Sequence, residues 1–454
     1  MYRKNVWKET KDHQSILDFS EGYKEFLSYG KTERLACAYA VKKLEENGFV
    51  NAEKLTSVKP GDKVFFINKK KNVCAFVLGN KPLKEGLRIL GAHIDSPRLD
   101  LKENPFYERD GLALGDTHYY GGIKKYQWTT TPLALHGVVC KKDGSVIEVH
   151  LGDDPKDPVF GITELLVHLS ADQLQKPGAK VVEGEDLDIT LGSIPLDGEE
   201  KEPVKKMLLK LLKEKYGVEE EDFISAEIEI VPAGNARDFG LDRSMVASYG
   251  QDDRACAYTS LMGLIDAKKV EHTACCILVD KEEIGSVGAT GAQSNFFLHA
   301  VARLAELSGA AHPLYDAHLI LEASKMLSSD VSAGVDPLYE SASEKKNAAF
   351  LGQGLVFNKY TGSRGKGGSN DANPEYYAWV RKAMDDAGVC WQNAELGRVD
   401  LGGGGTIAYI LGNMNMNVID AGVPLLSMHS PMEIVSKGDI YAAYKGYIAF
   451  IEAE

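Results

Sequence analysis

The stretch that decides the fold is LRILGAHIDSP, residues 87–97. Its apolar run at 87–92 has the length and composition of a buried β-strand and leads directly into His93 and Asp95. Residues i and i+2 of an extended chain project to the same side, so Asp95 can orient the His93 ring while its other nitrogen binds a metal ion. An isolated H-x-D sequence is more often a surface turn, so the pair becomes informative only together with further donors.

Helical and strand patterns alternate on both sides of this stretch. Alternation of this kind predicts an α/β fold with a mostly parallel sheet, helices on both faces, and ligands bound beyond the carboxyl ends of the strands. The predicted strands are 64–67, 73–78, 87–92, 226–234, 273–280 and HLILEAS at 318–324. The predicted helices are 33–47, 204–217, 255–267, 293–307, 375–387 and a final helix after Ser436.

The length of the chain and a change in its residue pattern indicate two domains. A chain of 454 residues exceeds the size at which one hydrophobic core usually keeps growing. Short β-prone runs fill 105–151, and a charged, loop-rich stretch follows to residue 221. We therefore expect a discontinuous catalytic domain, 1–102 and 236–454, interrupted by an inserted β-rich domain at 103–235.

Composition argues against several classes of protein. A net charge of −14 disfavours nucleic acid as a partner, because phosphate backbones attract basic proteins. The opening MYRKNVWKETKDHQ lacks the apolar core of a secretory signal, and no apolar run is long enough to span a membrane. The seven cysteines show no CxxC spacing. We therefore expect a cytoplasmic protein with no membrane partner.

Two pairs of acidic residues are further candidates. Asp252 and Asp253 stand where a helix is predicted to begin, a position at which acids commonly cap the helix. Glu282 and Glu283 follow the apolar strand pattern HTACCILVD. Adjacent carboxylates at a strand end repel each other unless a cation lies beside them, although a solvated acidic turn would have the same sequence. If a metal is present, one glutamate binds it and its neighbour takes a proton from water.

Asp330 and His429 complete the set of donors. Each follows another predicted strand, so histidine and carboxylate side chains recur at the sheet edge where this architecture binds ligands. Taken singly, they are a turn acid and a histidine at the edge of a core. Taken jointly, the set offers enough nitrogen and oxygen donors for two ions, and Zn²⁺, Co²⁺ and Mn²⁺ all suit them.

The motifs carrying these donors resemble those of the aspartyl aminopeptidase family over nearly the whole chain. They are AHIDSP, the DD pair, DKEEIGS, SSD and GVPLLSMHSPME. The resemblance implies a dinuclear zinc aminopeptidase that removes residues from peptides with a free amino terminus. It also implies an inserted domain for dimerisation and a homo-oligomer, a dodecamer built from dimers.

The resemblance also assigns a role to each donor. It implies that His93 and Glu283 hold one ion, that Asp330 and His429 hold the other, and that Asp252 bridges them. Glu282 would then be the general base, and Asp253 would lie behind the ligands.

His168, in the apolar run ITELLVHLS, lies in the inserted domain. A histidine on such a run is usually a core or interface residue. The resemblance implies that it reaches the active site of a neighbouring subunit and stabilises the developing oxyanion; a third histidine ligand to zinc is the alternative role.

Substrate contacts are expected from two glycine-rich segments. The segment FNKYTGSRGKGGSNDAN, residues 357–373, carries Lys359, Arg364 and Lys366, and the resemblance implies that a lysine here meets an acidic substrate side chain. This insertion departs from the family pattern, so either Asp or Glu, or a neutral residue, is the expected amino-terminal residue. The four glycines of DLGGGGTIAYIL lack a phosphate-binding signature, and we expect Gly404 to line the substrate pocket.

Two other functions fit these residues. A related dinuclear deacylase or dipeptidase would use the same ligands and differ in its specificity pocket. A non-catalytic assembly protein could keep the fold, but it would have no need for the base Glu282.

Overall fold

A computed structural model describes residues 3–454, so the first two residues of the opening segment lie outside the described range. Within that range the chain is mixed α/β with three β-sheets, which confirms the predicted class at this level. The α-helices are α1 (Val6–Glu9), α2 (His13–Tyr29), α3 (Glu33–Glu46), α4 (Pro203–Tyr216), α5 (Gln251–Asp266), α6 (Phe296–Leu307), α7 (Pro313–Glu322), α8 (Pro374–Asp386), α9 (Ala408–Gly412) and α10 (Lys437–Glu452).

The β-strands are distributed along the chain between Val50 and Ser436. The first ten are β1 (Val50–Asn51), β2 (Lys63–Asn68), β3 (Asn72–Val77), β4 (Arg88–His93), β5 (Arg98–Arg109), β6 (Leu112–Tyr120), β7 (Leu133–Cys140), β8 (Val146–Leu151), β9 (Ile189–Gly192) and β10 (Ala226–Pro232). The others are β11 (Arg237–Phe239), β12 (Met245–Ser248), β13 (Ala274–Val279), β14 (Lys325–Ser328), β15 (Ser332–Ala333), β16 (Leu355–Asn358), β17 (Trp391–Asn393), β18 (Asn417–Gly422), β19 (Pro424–Leu426) and β20 (Glu433–Ser436).

The largest sheet, called the large sheet below, has the order β1-β2-β3-β13-β4-β14-β18-β16-β17. Its four middle strands β13, β4, β14 and β18 run parallel to one another, as do the pairs β1–β2 and β16–β17. The remaining neighbours, β2–β3, β3–β13 and β16–β18, pair antiparallel. The sheet is therefore mixed, with a parallel centre.

Buried apolar residues explain why these strands form the middle of the sheet. Every residue of β3, β4 and β13 is buried, as expected for strands covered on both sides. Adjacent residues of β4 belong to two different apolar clusters. Leu90 lies in one cluster with Leu261 and Tyr447. Ile89 lies in the other with Leu304 and Ile320. Each cluster therefore combines residues of the large sheet with residues of helices.

One predicted strand is wrong. The segment HLILEAS forms the carboxyl-terminal half of α7 and its cap, and the strand that follows is β14, KMLS. The buried residues of α7 include Ala317, Ile320 and Leu321, whose spacing of three and four is helical, and Pro313 occupies the first turn, where its missing N–H costs nothing. Because apolar residues are consecutive in this segment, the sequence does not show its helical spacing.

The chain divides into two compact units. The larger unit runs to Asp95 and resumes at residues 236–428 and 433–454; the smaller unit comprises residues 96–235 and 429–432. The boundary after Asp95 lies earlier than the predicted boundary after residue 102. The reason is that β5, which begins at Arg98, pairs with β6 and β10 of the second sheet.

The smaller unit contains the second sheet, ordered β8-β7-β10-β5-β6-β9. Neighbouring strands in it are antiparallel throughout. Helix α4 is amphipathic, begins with Pro203 in its first turn and ends at Gly217, which adopts the left-handed conformation favoured at helix ends. The larger unit also holds the third sheet, β11-β12-β20-β19-β15. Among residues 3–454, no helix is long and apolar enough to cross a membrane.

Candidate active site

Three neighbouring strands of the large sheet end together. Strands β13, β4 and β14 are adjacent and parallel, with Val279 opposite His93 and Ser328 opposite Gly91. Residues that follow these strands therefore emerge at one sheet edge. His93 is the last residue of β4, a 3₁₀ turn at Glu282–Ile284 follows β13, and Asp330 follows β14 by two residues.

The imidazole of His93 lies at the centre of a carboxylate cluster. Its Nε2 atom is 3.2 Å from Oδ1 of Asp252, and 3.9 Å from both Oε2 of Glu282 and Oδ1 of Asp330. Only 2% of the His93 side chain is exposed. A buried ring nitrogen that faces several carboxylate oxygens has the surroundings of a metal ligand.

Asp95 supports this cluster. Its carboxylate accepts the backbone N–H groups of Glu282 and Glu283 at 3.1 and 3.2 Å. The Nδ1 atom of His93 lies 3.1 Å from the backbone carbonyl oxygen of Asp95 and 3.3 Å from its carboxylate. Asp95 thus fixes both the ring at the end of β4 and the turn after β13.

The Asp252–Asp253 pair is not the simple helix start that the sequence predicts. The peptide bond between the two residues is cis, both have non-helical backbone angles, and the N-cap residue of α5 is Gly250. Their carboxylates therefore do not cap the helix. Instead, Oε2 of Glu433 accepts the N–H groups of Gln251 and Asp252 at 2.6 and 3.1 Å.

Glu433 is a residue that sequence reasoning missed. Its only signal is that it ends GVPLLSMHSPME, the motif that carries His429. The glutamate is 1% exposed. It holds the backbone from which Asp252 projects, so it supports the cluster.

Asp253 also belongs to the cluster. Its Oδ2 atom accepts the backbone N–H of His93 at 3.4 Å, and one of its oxygens lies within 4.8 Å of donor atoms of His93 and Asp330. A second group with the same spacing comprises His93, Glu282 and Glu283. Whether Asp253 binds an ion directly or lies behind the ligands stays a prediction, and its oxygen is near enough to His93 and Asp330 for either role.

Burial and mutual repulsion raise the proton affinities of these groups. Burial, followed by the charge of Asp252, raises the pKa of Asp253 well above its ordinary value. Burial and the charge of Asp253 do the same to the pKa of Asp330. For His93, burial lowers the pKa, but hydrogen bonds to Asp252 and Asp95 outweigh it, and the pKa is raised. A cation would relieve this crowding, and an imidazole nitrogen with carboxylate oxygens is a donor set that zinc binds.

Comparison with known proteins identifies the chain. Residues 26–451 match the peptidase M18 family, described as aminopeptidase I zinc metalloprotease. The chain belongs to the M18 family. It is therefore a zinc metalloaminopeptidase, and the predicted family and enzyme class are confirmed. This match favours an aminopeptidase over the deacylase, dipeptidase or assembly protein.

Relatives of this M18 peptidase cover its full length. It is 55% identical to a probable M18 family aminopeptidase 1 of Clostridium acetobutylicum, over 99% of this chain and 98% of the relative. The crystal structure of an M18 family aminopeptidase from Thermotoga maritima is 47% identical, with a TM-score of 0.97 and complete coverage of both chains. The yeast mApe1 dodecamer is 20% identical with a TM-score of 0.77, over 95% of this chain and 96% of that one, and shares the fold.

The two other histidines predicted for the site of this M18 peptidase, His429 and His168, belong to the smaller unit. The Nδ1 atom of His429 lies 2.9 Å from the carbonyl oxygen of Gly122, so a proton on Nδ1 would place the ring's lone pair on Nε2. His168 lies in a 3₁₀ turn, Val167–Leu169, and is exposed. It is therefore not a core histidine of this unit.

The basic residues after β16 form a loop of their own, residues 359–371, called the basic loop below. Lys359 and Lys366 both form ion pairs with Asp371. Within residues 3–454, Arg364 forms no ion pair. Tyr360, whose ring lies under the ammonium group of Lys366 at 3.7 Å, donates its hydroxyl to Glu395 at 2.6 Å.

The glycine-rich segment packs against this loop. The N–H of Gly362 donates to the carbonyl of Gly404 at 2.6 Å. At Gly403 the φ angle is +112°, and an added Cβ would lie 1.9 Å from the carbonyl oxygen of Gly362. The need for glycine at 403 is therefore explained by this backbone contact. Both segments line one cavity of about 260 Å³.

Proposed function

We propose that this M18 peptidase removes single amino-terminal residues from peptides with a dinuclear zinc centre. His93 and Glu283 would hold one ion and Asp330 and His429 the other, with Asp252 as the bridge. The observation that carries this proposal is the buried Nε2 atom of His93 facing the carboxylates of Asp252, Glu282 and Asp330. Zinc bound there supplies Lewis acidity, which lowers the pKa of a water molecule and polarises the scissile carbonyl. Co²⁺ or Mn²⁺ would fit the same donors.

Glu282 is proposed as the general base. It takes a proton from the attacking water and passes it to the departing amine, which carries away the lone pair of the broken C–N bond. Support comes from its position, since its Oε2 atom lies 3.9 Å from His93 Nε2 while its backbone N–H is fixed by Asp95. The side chain is 16% exposed, so water can reach it.

Asp95 is proposed as the residue that orients His93 and Glu282, and Glu433 as the residue that orients Asp252. Asp95 accepts the backbone N–H groups of Glu282 and Glu283 and lies beside Nδ1 of His93. Glu433 accepts the backbone N–H of Asp252. Such supporting contacts tune ligand geometry, and their loss commonly weakens metal binding or activity about 10- to 100-fold.

The basic loop is proposed to read the amino-terminal residue of the substrate, with Asp or Glu favoured over neutral residues. Arg364 is the strongest candidate for the contact, because Lys359 and Lys366 share their charge with Asp371 while Arg364 does not. Gly404, whose carbonyl accepts the N–H of Gly362, is proposed to line the substrate pocket through its backbone, although Gly402 is the glycine of its segment that lines the 260 Å³ cavity.

The smaller unit is proposed to mediate assembly of a cytoplasmic homo-oligomer, a dodecamer built from dimers; yeast mApe1, which shares the fold, is a dodecamer. Support comes from Leu165, Leu166, Val167 and Leu169, which are 47–68% exposed around His168. A continuous exposed apolar stretch of this kind favours burial against another protein. In the assembly, His168 would stabilise the negative charge that develops on the carbonyl oxygen at a neighbouring subunit's site.

The proposed function is tested by hydrolysis of Asp-, Glu- and Leu-anilides with and without a chelator. We expect turnover that is lost with chelator and restored by zinc, with Asp or Glu ranked above Leu. Chelator-insensitive turnover would overturn the metal mechanism, and a preference for Leu would overturn the acidic specificity while leaving the mechanism intact.

A further inference from the structure

Two histidines face each other across neighbouring strands of the smaller unit. His136 on β7 and His150 on β8 are directly opposed in the antiparallel ladder. Side chains in this position lie on the same face of the sheet and contact each other. The ring of His136 is 6% exposed and that of His150 is 43% exposed, so the pair is anchored on one side and reachable from solvent on the other.

Their rings approach through equivalent nitrogens. The two Nδ1 atoms are 3.2 Å apart. Each Nε2 atom in turn faces a carboxylate: that of His136 lies 2.8 Å from Oδ2 of Asp153, and that of His150 lies 3.7 Å from Oε2 of Glu148. Asp153 is itself held, because its other oxygen accepts the N–H of Gly234 at 2.8 Å.

These carboxylates decide where the ring protons reside. A neutral histidine carries one N–H, and a carboxylate beside Nε2 favours the proton there. The Nδ1 lone pairs of both rings then point into the same gap. A hydrogen bond between the rings would instead require a proton on one of the two Nδ1 atoms, either through the other tautomer of His150 or through double protonation of His136.

We propose that His136 and His150 form a second metal site, for a divalent first-row transition ion that prefers imidazole. An ion about 2.0–2.1 Å from each nitrogen, the usual zinc–histidine distance, would see them at an angle of about 100°, within the range of tetrahedral and octahedral coordination. Water fills the remaining positions through the exposed side of His150. Asp153 and Glu148 act as the carboxylates that commonly back a metal-bound histidine.

The chemistry of the pair favours this ligand class. Burial lowers the pKa of His150, which favours the neutral ring that metal binding requires. Two imidazoles without a thiolate suit Zn²⁺, Ni²⁺ and Cu²⁺, with Cu²⁺ bound most tightly. With only two protein ligands, the site should bind more weakly than the zinc centre. A bound ion would tie β7 to β8 and stabilise the smaller unit.

Equilibrium dialysis of the zinc-loaded enzyme against Ni²⁺ tests the proposal, with zinc and nickel measured in the same sample. We expect one Ni²⁺ per chain in addition to the retained zinc. The His150→Gln variant should lose this extra equivalent, and Glu148→Gln should bind it several-fold more weakly. His118→Gln is the matched control, because His118 is an exposed histidine of the same unit whose Nδ1 lies 2.8 Å from the Tyr119 carbonyl; it should retain the extra nickel.

A spectroscopic measurement keeps the test independent of variant folding. One equivalent of Cu²⁺ added to the zinc-loaded wild-type enzyme should give an electron paramagnetic resonance spectrum with coupling to two imidazole nitrogens. Persistence of the extra nickel in His150→Gln, or a copper spectrum without two-nitrogen coupling, would overturn the proposal. Unchanged anilide hydrolysis by zinc-loaded His150→Gln would show that the variant is folded.

Discussion

The carboxylate cluster at the edge of the large sheet and the basic loop at 359–371 differ in how they are held. In the cluster, His93 and Asp95 are at most 2% exposed and lie at the end of β4, which pairs with β13 and β14 on its two sides. In the basic loop, Lys359 and Lys366 are 38% and 44% exposed and are held mainly by pairing with Asp371. With the roles proposed for the two regions, chemistry would rest on buried geometry that tolerates little change, whereas specificity would rest on exposed charges that can be altered singly.

The largest effect should come from Glu282→Gln. Loss of the general base should reduce kcat by about 10²- to 10⁴-fold, while zinc content stays unchanged because Glu282 is not a proposed ligand. Steady-state anilide kinetics and metal analysis of the same sample would measure both. Glu53→Gln, in an exposed turn, is a matched control and should behave like the wild type. Near-wild-type turnover of Glu282→Gln would remove the base from the mechanism.

A smaller loss is expected for Asp95→Asn. The amide removes negative charge beside His93 Nδ1 and cannot accept both N–H groups of the 282–283 turn as the carboxylate does. Zinc affinity or kcat should fall about 10- to 100-fold, with KM little changed. Competition with a chelator measures the zinc affinity. A residue that only supported the fold away from the site would leave this affinity unchanged. Unaltered zinc affinity and kcat would mean that Asp95 does not orient the site.

Arg364→Gln should change the substrate ranking. We expect kcat/KM for the Asp-anilide to fall about tenfold, equivalent to about 1.4 kcal/mol, and that for the Leu-anilide to stay constant. High salt should also reduce the preference of the wild-type enzyme for the Asp-anilide over the Leu-anilide, because salt screens exposed charges. Equal losses on both anilides would assign Arg364 to loop structure.

The smallest effect is expected for Lys366→Gln. An exposed ion pair such as Lys366–Asp371 contributes about 0–1 kcal/mol, so the change in kcat/KM for the Asp-anilide should stay below about fivefold. Side-by-side kinetics with Arg364→Gln would measure the contrast. A larger loss than for Arg364→Gln would make Lys366 the residue that contacts the substrate.

Much of the cluster could be predicted because it depends on local sequence. Buried strands such as 87–92 and 273–280 are visible as apolar runs, and the residues that follow them reach one edge of a parallel sheet. The non-helical backbone at Asp252–Asp253 and the support from Glu433 could not be predicted, because they arise from contacts between distant segments. The strand HLILEAS was wrong because a short apolar run has no decisive period.

The basic loop and the histidine pair show the same limit. Pairing of Lys359 and Lys366 with Asp371 depends on how the loop folds back on itself, which the glycine-rich sequence leaves open. His136 and His150 become neighbours only through the register of β7 with β8. Single residues can be named from a sequence, whereas their partners depend on register and loop closure.

The most direct test of the dinuclear centre is anomalous diffraction at the zinc edge from crystals of the zinc-loaded enzyme. We predict two strong peaks about 3.5–4 Å apart. One should lie within about 2.0–2.2 Å of donor atoms of His93 and Glu283, the other at the same distance from Asp330 and His429, with Asp252 between them. A single peak, or peaks that do not contact His93, would contradict the proposed centre.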